Sequence, residues 1–268
     1  MRAKRSLGQH FLKSERALSV MIETGQVEAR DTILEIGPGE GALTRRLLET
    51  GARVIAVEKD DQLFELLKQK FKKEIESGQL TLIHDDILEF NVAKLKIVNW
   101  KLIANIPYNI TGAILKKFLG ADCQPERTVL LVQKEVAKRI VGKPHSAKAS
   151  RDKESILSIS VKAYGAPRYV ETVKAGSFVP MPKVDSAIMA IENISKRNFQ
   201  EFREDKFFKI LRTGFRSKRK KLLSNLAAVF GKDRVKKTFQ ELGLDNNLRA
   251  EDANLEIWQK LAKNLLDT

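Results

Sequence analysis

Short apolar runs that alternate with helical patterns constrain the fold of this chain more than any other feature. Five runs of strand length are apolar at consecutive positions, which is typical of strands buried on both faces of a parallel sheet. Helical patterns separate them, for example at residues 42–49 and 60–76. This order predicts a doubly wound α/β domain, in which ligands bind beyond the carboxyl ends of the strands. The predicted strands are 32–36, 53–57, 80–83, 101–104 and 128–132.

The rest of the chain divides into the end of the sheet and a helical region. Residues 142–152 are too polar to be buried and predict a loop. From Phe199 onward the apolar spacing is helical throughout, so a small helical domain is expected to start near residue 196. We therefore assign residues 1–195 to the first domain and 196–268 to the second. Between the loop and the second domain, the predicted elements are a helix at 154–163 and strands at 169–174 and 187–192.

The charge balance points to a polyanionic partner. The chain carries 49 Lys and Arg against 34 Asp and Glu, a net charge of +15. Residues 196–268 hold 18 of the basic and 10 of the acidic residues, so this region is the more basic per residue. A surface tuned for solubility or for an anionic membrane would also be basic, but nucleic acid is the favoured partner.

Several other classes of protein are excluded by composition. A single cysteine, Cys123, rules out a disulfide framework and, with three histidines, a Cys-rich zinc module. Apolar stretches such as 129–132 are far shorter than the roughly 20 residues of a membrane span, and no apolar signal core follows the first five residues. We expect a cytoplasmic protein that binds no metal and no membrane.

Three of the predicted strands end in residues suited to an adenosine-containing cofactor. The first ends in a glycine-rich turn at 35–41, which lets a ligand approach the backbone and a helix amino end. The second ends at Glu58, placed to accept hydrogen bonds from a ribose diol. The third ends at Asp85 and Asp86, where a carboxylate could bind an adenine amino group. Both NAD and S-adenosylmethionine fit this description.

The fourth strand decides in favour of S-adenosylmethionine. It runs into Asn105, Pro107 and Tyr108, a combination with no purpose in hydride transfer. Methylation of an adenine amino nitrogen requires acceptors that hold the nitrogen in line with the methyl group, and an Asn oxygen and a backbone carbonyl are such acceptors. Proline fixes the turn that aims the carbonyl, and tyrosine offers a stacking surface for the base. No general base is needed.

Four motifs in order make the chain similar to a known family, the ribosomal RNA adenine N6,N6-dimethyltransferases. The resemblance extends from about Arg5 to beyond Leu223, and the combination of motifs is highly specific. It implies a class I methyltransferase sheet of seven strands, S-adenosylmethionine as the donor and a C-terminal helical domain that grips RNA. The motifs are SLGQHFL at 6–12, EIGPG at 35–39, NIPYN at 105–109 and FVPMPKVDS at 178–186.

The resemblance also implies roles for individual residues. His10 and Leu12 would line the cofactor site, and Gly37 would approach the amino-acid end of the cofactor. Tyr108 and Phe178 would hold the target adenine between them. The remaining implied roles are ribose binding by Glu58, cofactor adenine binding by Asp86 and positioning in the reaction zone by Asn105.

Two branches of the family share these motifs. The housekeeping enzymes dimethylate two adjacent adenosines near the 3′ end of small-subunit (16S) rRNA, and the macrolide-resistance enzymes act on large-subunit rRNA. The motifs at 8–12 and 182–186, with the basic run at 216–221, resemble the housekeeping branch. Where the family usually has a Tyr-Gly pair, residues 149–153 read ASRDK.

RNA contact is assigned to basic residues at both ends of the chain, and the partner is expected to be small-subunit rRNA or a partly assembled small subunit bound by a monomer. A non-enzymatic ribosome-assembly factor, a nicotinamide-dependent dehydrogenase and a DNA adenine methyltransferase are the rival functions. The predicted RNA-binding residues are Arg5, Arg216, Lys218, Arg219 and Lys220.

Overall fold

A seven-stranded sheet forms the centre of the first part of the chain. The computed structural model describes residues 9–95, 97–142 and 153–266. Within these residues, each of the five predicted parallel strands is confirmed to within one residue at either end. The strands are β1 (Phe11–Leu12), β2 (Thr32–Ile36), β3 (Arg53–Glu58), β4 (Leu80–His84), β5 (Trp100–Asn105), β6 (Arg127–Gln133), β7 (Ala166–Val173), β8 (Phe178–Val179) and β9 (Ser186–Glu192).

The order of the strands differs from that of a dinucleotide-binding sheet, and the sheet has the seven strands that the family resemblance implies. The order is β4-β3-β2-β5-β6-β9-β7, with β9 antiparallel to both of its neighbours. A dinucleotide-binding sheet has six parallel strands and no inserted antiparallel strand. Because β2 to β5 are parallel, their carboxyl ends meet at one edge, where the predicted cofactor residues lie.

Helices cover the sheet and make up the end of the chain. The predicted helix at 42–49 is confirmed, and that at 154–163 begins two residues later because Ser155 caps it by accepting a hydrogen bond from the Ser158 N–H. The helices are α1 (Glu15–Gly25), α2 (Ala42–Glu49), α3 (Asp61–Lys70), α4 (Lys72–Glu76), α5 (Thr111–Leu119), α6 (Lys134–Val141), α7 (Ile156–Tyr164), α8 (Glu204–Gly214), α9 (Leu222–Phe230), α10 (Lys232–Glu241) and α11 (Leu255–Leu266).

The single helix predicted at 60–76 is in fact two helices. Asp60 is the N-cap of α3, and α4 starts after a break at Phe71. The Phe71 ring is buried against Gly41, where an added Cβ would lie 2.5 Å from it. The chain breaks its helix to place this ring against the glycine-rich turn, a tertiary contact that periodicity alone does not report.

The described residues form two compact units, and the division differs from the predicted one. One unit runs to Ala137 and resumes at Ala166–Ile194, and the other comprises Lys138–Gly165 and the chain from Ser195. The predicted division at residues 195 and 196 stays a prediction, while the second unit includes the described residues of 138–165, which the sequence assigns to the first domain. The physical reason is that Ile159 and Ala163 belong to the apolar core of the helical unit.

The helical unit has its own apolar core. Apolar side chains of α8 and α9 are buried in it, among them Phe207, Leu211, Leu222 and Leu226. Trp258 of α11 is fully buried, and its ring stacks at 5.4 Å on that of Phe215. None of the helices in the described part of the chain combines the length and the apolar character needed to cross a membrane.

Candidate active site

A cavity of about 300 Å³ opens at the carboxyl ends of β2, β3 and β5. Its walls come from the first unit, and eight of the nine residues predicted for catalysis and cofactor binding lie on them. Residues far apart in the sequence therefore meet in one place, as the strand order requires. The eight are His10, Leu12, Gly37, Glu58, Asp86, Asn105, Pro107 and Tyr108.

The glycine-rich turn forms one wall of the cavity in a conformation that glycine favours. Gly37 and Gly39 have φ values of 60° and 61°, in the left-handed region. An added Cβ on Gly37 would meet nothing within 4 Å, whereas one on Gly39 would lie 3.0 Å from the Phe11 ring. The backbone at Gly37 is therefore open to close approach by a ligand.

Glu58 is held rigidly at the end of β3. Its two carboxylate oxygens accept hydrogen bonds from the main-chain N–H groups of Gly39 (3.1 Å) and Asp60 (2.9 Å). Burial raises the pKa of Glu58, and these main-chain donors offset part of the rise. The carboxylate thus couples the glycine-rich turn to the start of α3 and has lone pairs left for a diol.

Glu35 is a second buried carboxyl on the cavity wall, and its motif does not mark it as a site residue. It is 2% exposed, and its Oε2 has no hydrogen-bond partner among the described residues. Burial raises the pKa of Glu35 to about 8, and repulsion from Glu58 adds to the rise. Thr44 lies near enough to favour the charged form, but its hydroxyl makes no hydrogen bond of good geometry, so burial dominates.

Asp86 also lines the cavity and forms an ion pair that the sequence does not predict. Lys59 Nζ is 2.6 Å from Asp86 Oδ2, and Asp86 Oδ1 accepts a hydrogen bond from the Leu88 N–H at 2.9 Å. The hydrogen bond from Lys59 holds the pKa of Asp86 below its usual value. The position of Lys59, directly after Glu58, was the available signal, because both are then at the end of β3.

Asn105 and His10 form the end of the cavity where the reaction is expected. Asn105 Nδ2 donates a hydrogen bond to the main-chain carbonyl of His10 at 3.1 Å. This bond fixes the amide so that Oδ1 is the group left to accept, and within the described residues Oδ1 makes no hydrogen bond. Asn105 is therefore presented as an acceptor, as the sequence predicts.

Tyr108 makes its aromatic contact with His10. The two rings stack with centroids 5.7 Å apart, and the Tyr108 hydroxyl lies 2.7 Å from Ser186 Oγ. Burial raises the pKa of Tyr108, so the phenol stays protonated at neutral pH. The serine, which is fully buried on β9, thus fixes the tilt of a ring that lines the cavity.

Phe178 is the predicted site residue that does not line the cavity. In β8 it pairs with Leu12 of β1, and its ring is 2% exposed within the apolar core. Its proposed stacking against the target adenine stays a prediction, because the ring packs inside the protein here.

The predicted basic residues occupy the loop between α8 and α9, except for Arg5, which lies outside the described residues. Arg216, Lys218, Arg219 and Lys220 are all exposed, and none forms an ion pair within the described residues. Asn225, which is buried, donates hydrogen bonds from Nδ2 to the carbonyls of Gly214 (2.6 Å) and Ser217 (3.0 Å). The two hydrogen bonds from Asn225 therefore hold the main chain of the loop, while its cationic side chains are exposed to solvent. We call these four residues the basic loop.

The donor set of the cavity fits a nucleoside cofactor better than a metal. Carboxylates at the ends of two adjacent strands and a glycine turn open to a ligand match the ribose, adenine and amino-acid parts of S-adenosylmethionine. No cluster of three His, Cys, Asp or Glu side chains that could hold a metal occurs in the described part of the chain.

Fold and site together define a class I S-adenosylmethionine-dependent methyltransferase. Two solved structures share the architecture: a dimethyladenosine transferase from Plasmodium falciparum, with TM-score 0.77, 25% identity and coverage of 94% of this chain and 96% of that one, and the 23S rRNA methyltransferase ErmE, with TM-score 0.72, 23% identity and coverage of 95% and 99%. The second likeness concerns the fold alone.

The sequence places the chain in one family of this class. It matches the ribosomal RNA adenine dimethylase family over residues 1–267. It is 41% identical over 265 residues to the ribosomal RNA small subunit methyltransferase A of Dehalococcoides mccartyi, covering 97% of this chain and 88% of that protein. The chain therefore belongs to the ribosomal RNA adenine dimethylases, and its cofactor is S-adenosylmethionine.

Proposed function

We propose that this enzyme dimethylates the N6 amino groups of two adjacent adenosines near the 3′ end of small-subunit rRNA, as a step in the assembly of that subunit. The observation that carries the proposal is the fixed amide of Asn105, whose Oδ1 is presented to the cavity by the bond from Nδ2 to the His10 carbonyl. The small-subunit assignment is supported by the names of relatives such as that of D. mccartyi. The motifs at 8–12 and 182–186 support the same branch.

The cavity residues act by orienting the adenine amino group. S-adenosylmethionine, when bound, supplies an electrophilic methyl group on a sulfonium. Asn105 Oδ1 accepts one N6 hydrogen and the Ile106 carbonyl, aimed by Pro107, accepts the other, which makes the nitrogen lone pair more available. Tyr108 offers a face for the base. The surplus proton of the methylated amine then passes to water, so no side chain has to act as a general base.

The other cavity residues bind the cofactor. Glu58 accepts hydrogen bonds from the ribose hydroxyls, and Asp86 accepts one from the cofactor's adenine amino group. His10 and Leu12 form one side of the cofactor pocket. Gly37, which has no side chain, leaves room for the amino-acid end of the cofactor. The fold already holds these groups in place. Binding of the cofactor therefore loses little free energy to the ordering of side chains.

RNA binding is assigned to the basic loop together with Arg5. The loop presents four exposed cations, and opposing phosphates would replace their solvent contacts and release counterions. The partner is small-subunit rRNA, free or within a partly assembled subunit, and the enzyme acts on it as a monomer in the cytoplasm.

Incubation with methyl-labelled S-adenosylmethionine tests the function directly. Small subunits that lack the modification should gain N6,N6-dimethyladenosine, identified by nucleoside analysis, and large subunits should gain none. The Asn105→Ala variant is the control for contaminating activity. Label in large-subunit RNA would favour a macrolide-resistance type of enzyme, and RNA binding without any methyl transfer would favour an assembly factor.

A further inference from the structure

A short apolar segment stands exposed beside the cavity. Six large hydrophobic side chains are exposed within the described residues, and three of them lie between 179 and 184: Val179 (57%), Met181 (69%) and Val184 (44%). Isolated exposed apolar residues are common, but a local concentration of them marks a contact surface. We call these three residues the apolar tip.

The apolar tip is held in place at both ends. Val179 pairs with Phe11 across the two-stranded sheet of β1 and β8. At the other end, Asp185 Oδ1 accepts a hydrogen bond from the Ala175 N–H at 3.1 Å, and the Asp185 carbonyl accepts one from the Lys134 N–H at 3.0 Å. The segment is thus ordered before any partner arrives, which lowers the entropic cost of binding.

One residue connects the apolar tip to the reaction end of the cavity. His10 Nδ1 lies 2.7 Å from the carbonyl oxygen of Pro180, which follows Val179. The same imidazole stacks on Tyr108, and both residues line the cavity. A partner bound on the apolar tip would therefore lie next to the end of the cavity where the target adenine is expected.

The charges around the tip identify the class of partner. Lys183 is exposed within the tip, between Met181 and Val184. Lys174, five residues before the tip, is also exposed and pairs with Asp185 at 3.3 Å, so Lys183 is the cation that the tip itself presents. Flat apolar groups bordered by phosphates are what a nucleic acid presents. An adenine that leaves its stack to reach a catalytic cavity leaves a gap between its neighbours. Proteins that bend nucleic acids insert apolar side chains such as Met, Leu or Pro between bases in a comparable way.

We infer that the apolar tip packs against the RNA bases that flank the target adenine and occupies the space vacated when that adenine enters the cavity. This inference rests on the proposed function and adds to it a surface that binds the RNA preferentially when the target adenine has left its stack. Met181, the most exposed and most adaptable of the three side chains, provides the central contact.

The test compares structured and unstructured RNA substrates. We expect M181S combined with V184S to lower kcat/KM by about tenfold or more on the folded 3′-terminal small-subunit RNA, since the loss of two apolar side chains that become buried against the bases has an effect of at least this size. On a single-stranded oligonucleotide with the same two adenosines, the loss should stay under about twofold, because no stack has to be opened there. The control is Val98→Ser, which removes an apolar group that is 75% exposed elsewhere on the same unit.

Fluorescence of 2-aminopurine at the target position reports extrusion of the base without methyl transfer. It tests the tip even if the wild type transfers no methyl group, so failure of the proposed function is recognised separately. The inference is supported if the wild type extrudes the target base of the folded RNA and the double variant does not. Unchanged extrusion and methylation, or an equal loss on both substrates, overturns it. Lost binding to anionic phospholipid vesicles with unchanged methylation would assign the tip to a lipid surface and also overturn it.

Discussion

The side-chain amide of Asn105 is fixed by the main chain of His10, a residue 95 positions away in the sequence, through a hydrogen bond of 3.1 Å from Nδ2 to the His10 carbonyl. The contact joins the end of β5 to the residue directly before β1. It determines which end of the amide faces the cavity, and therefore whether the site offers an acceptor or a donor to an adenine amino group.

Removal of the Asn105 side chain should abolish most of the methyl transfer. Asn105→Ala takes away the acceptor that aligns the amino nitrogen, and misalignment on the order of 1 Å can lower a rate by about a hundredfold. Single-turnover kinetics with saturating cofactor measure this step. Because Asn105 is only half-buried, the melting temperature should change little. A variant with wild-type single-turnover rate would contradict the assignment.

The Lys59–Asp86 pair predicts a pH dependence of cofactor binding. The hydrogen bond from Lys59 lowers the pKa of Asp86, so the carboxylate stays charged to a lower pH than it would alone. In Lys59→Met the pKa of Asp86 should rise. When the solution is acidified from pH 7 to 4, this variant should therefore lose affinity for S-adenosylmethionine at a higher pH than the wild type does. Calorimetric titration with S-adenosylmethionine measures the affinity, and Lys59→Arg, which keeps the charge, is the control. Parallel pH profiles for all three proteins would exclude this role.

Glu35 predicts a pH dependence of the free energy of unfolding. Its pKa is about 8 in the folded protein against an ordinary 4.5, so the folded state retains a proton that the unfolded state loses. This retained proton stabilises the folded state fully below pH 4.5, and the stabilisation is lost as the pH rises from 4.5 through 8. Each unit of pKa difference corresponds to about 1.4 kcal/mol of the free energy of unfolding. Glu35→Gln removes that loss, so the variant should gain stability relative to the wild type between pH 5 and pH 9.

Urea unfolding at several pH values checks the prediction for Glu35. Glu65→Gln, an exposed carboxyl on α3, is the matched control and should follow the wild type. A constant difference between Glu35→Gln and wild type from pH 5 to 9 would show that Glu35 is charged in the folded protein.

The basic loop predicts the salt dependence of RNA binding. Changing Lys218, Arg219 and Lys220 to Gln should reduce the slope of log K against log salt by up to about 0.7 to 0.9 per lost phosphate contact. The control changes Lys68, Lys72 and Lys73, exposed on α3 and α4, which alters the net charge equally. Cofactor affinity should be the same in both variants. Equal slopes for the two would mean that RNA responds to net charge and not to this loop.

The sequence predicts the sheet well because buried parallel strands have a local signature. Runs such as 33–36 and 128–132 are buried on both faces and consist mostly of Val, Ile and Leu, and the turn after β2 needs glycines that are visible in the sequence. The placing of Glu58, Asp86 and Asn105 on one cavity then follows from the parallel order of the strands, since residues at strand ends share an edge.

What the sequence does not reveal are contacts that depend on packing between distant segments. The ion pair of Lys59 with Asp86, the stacking of His10 on Tyr108 and the break of the helix at Phe71 each require a partner from another element. Burial of Phe178 is of the same kind, because a short motif read along the chain does not tell whether an aromatic ring faces a cavity or the core.

The contrast between Phe178 and Tyr108 leads to the last prediction. Phe178 is 2% exposed in the apolar core, so Phe178→Ala should lower the free energy of unfolding by roughly 3 to 5 kcal/mol, as for other buried aromatic truncations. Tyr108 lines the cavity and is only half-buried, so Tyr108→Ala should lower the free energy of unfolding less than Phe178→Ala does, chiefly through the lost bond to Ser186. It should methylate slowly while binding subunits almost normally.

Melting curves and single-turnover rates measured on the same preparations separate the two roles of these aromatic residues. Phe178→Leu is the informative control, because leucine refills much of the core volume but offers no aromatic face for a base. If Phe178 acts through packing alone, Phe178→Leu should recover both stability and rate. If it stacks on the adenine, stability should recover and the rate should stay low. A Tyr108→Ala protein with wild-type melting and full methylation rate would remove Tyr108 from the site.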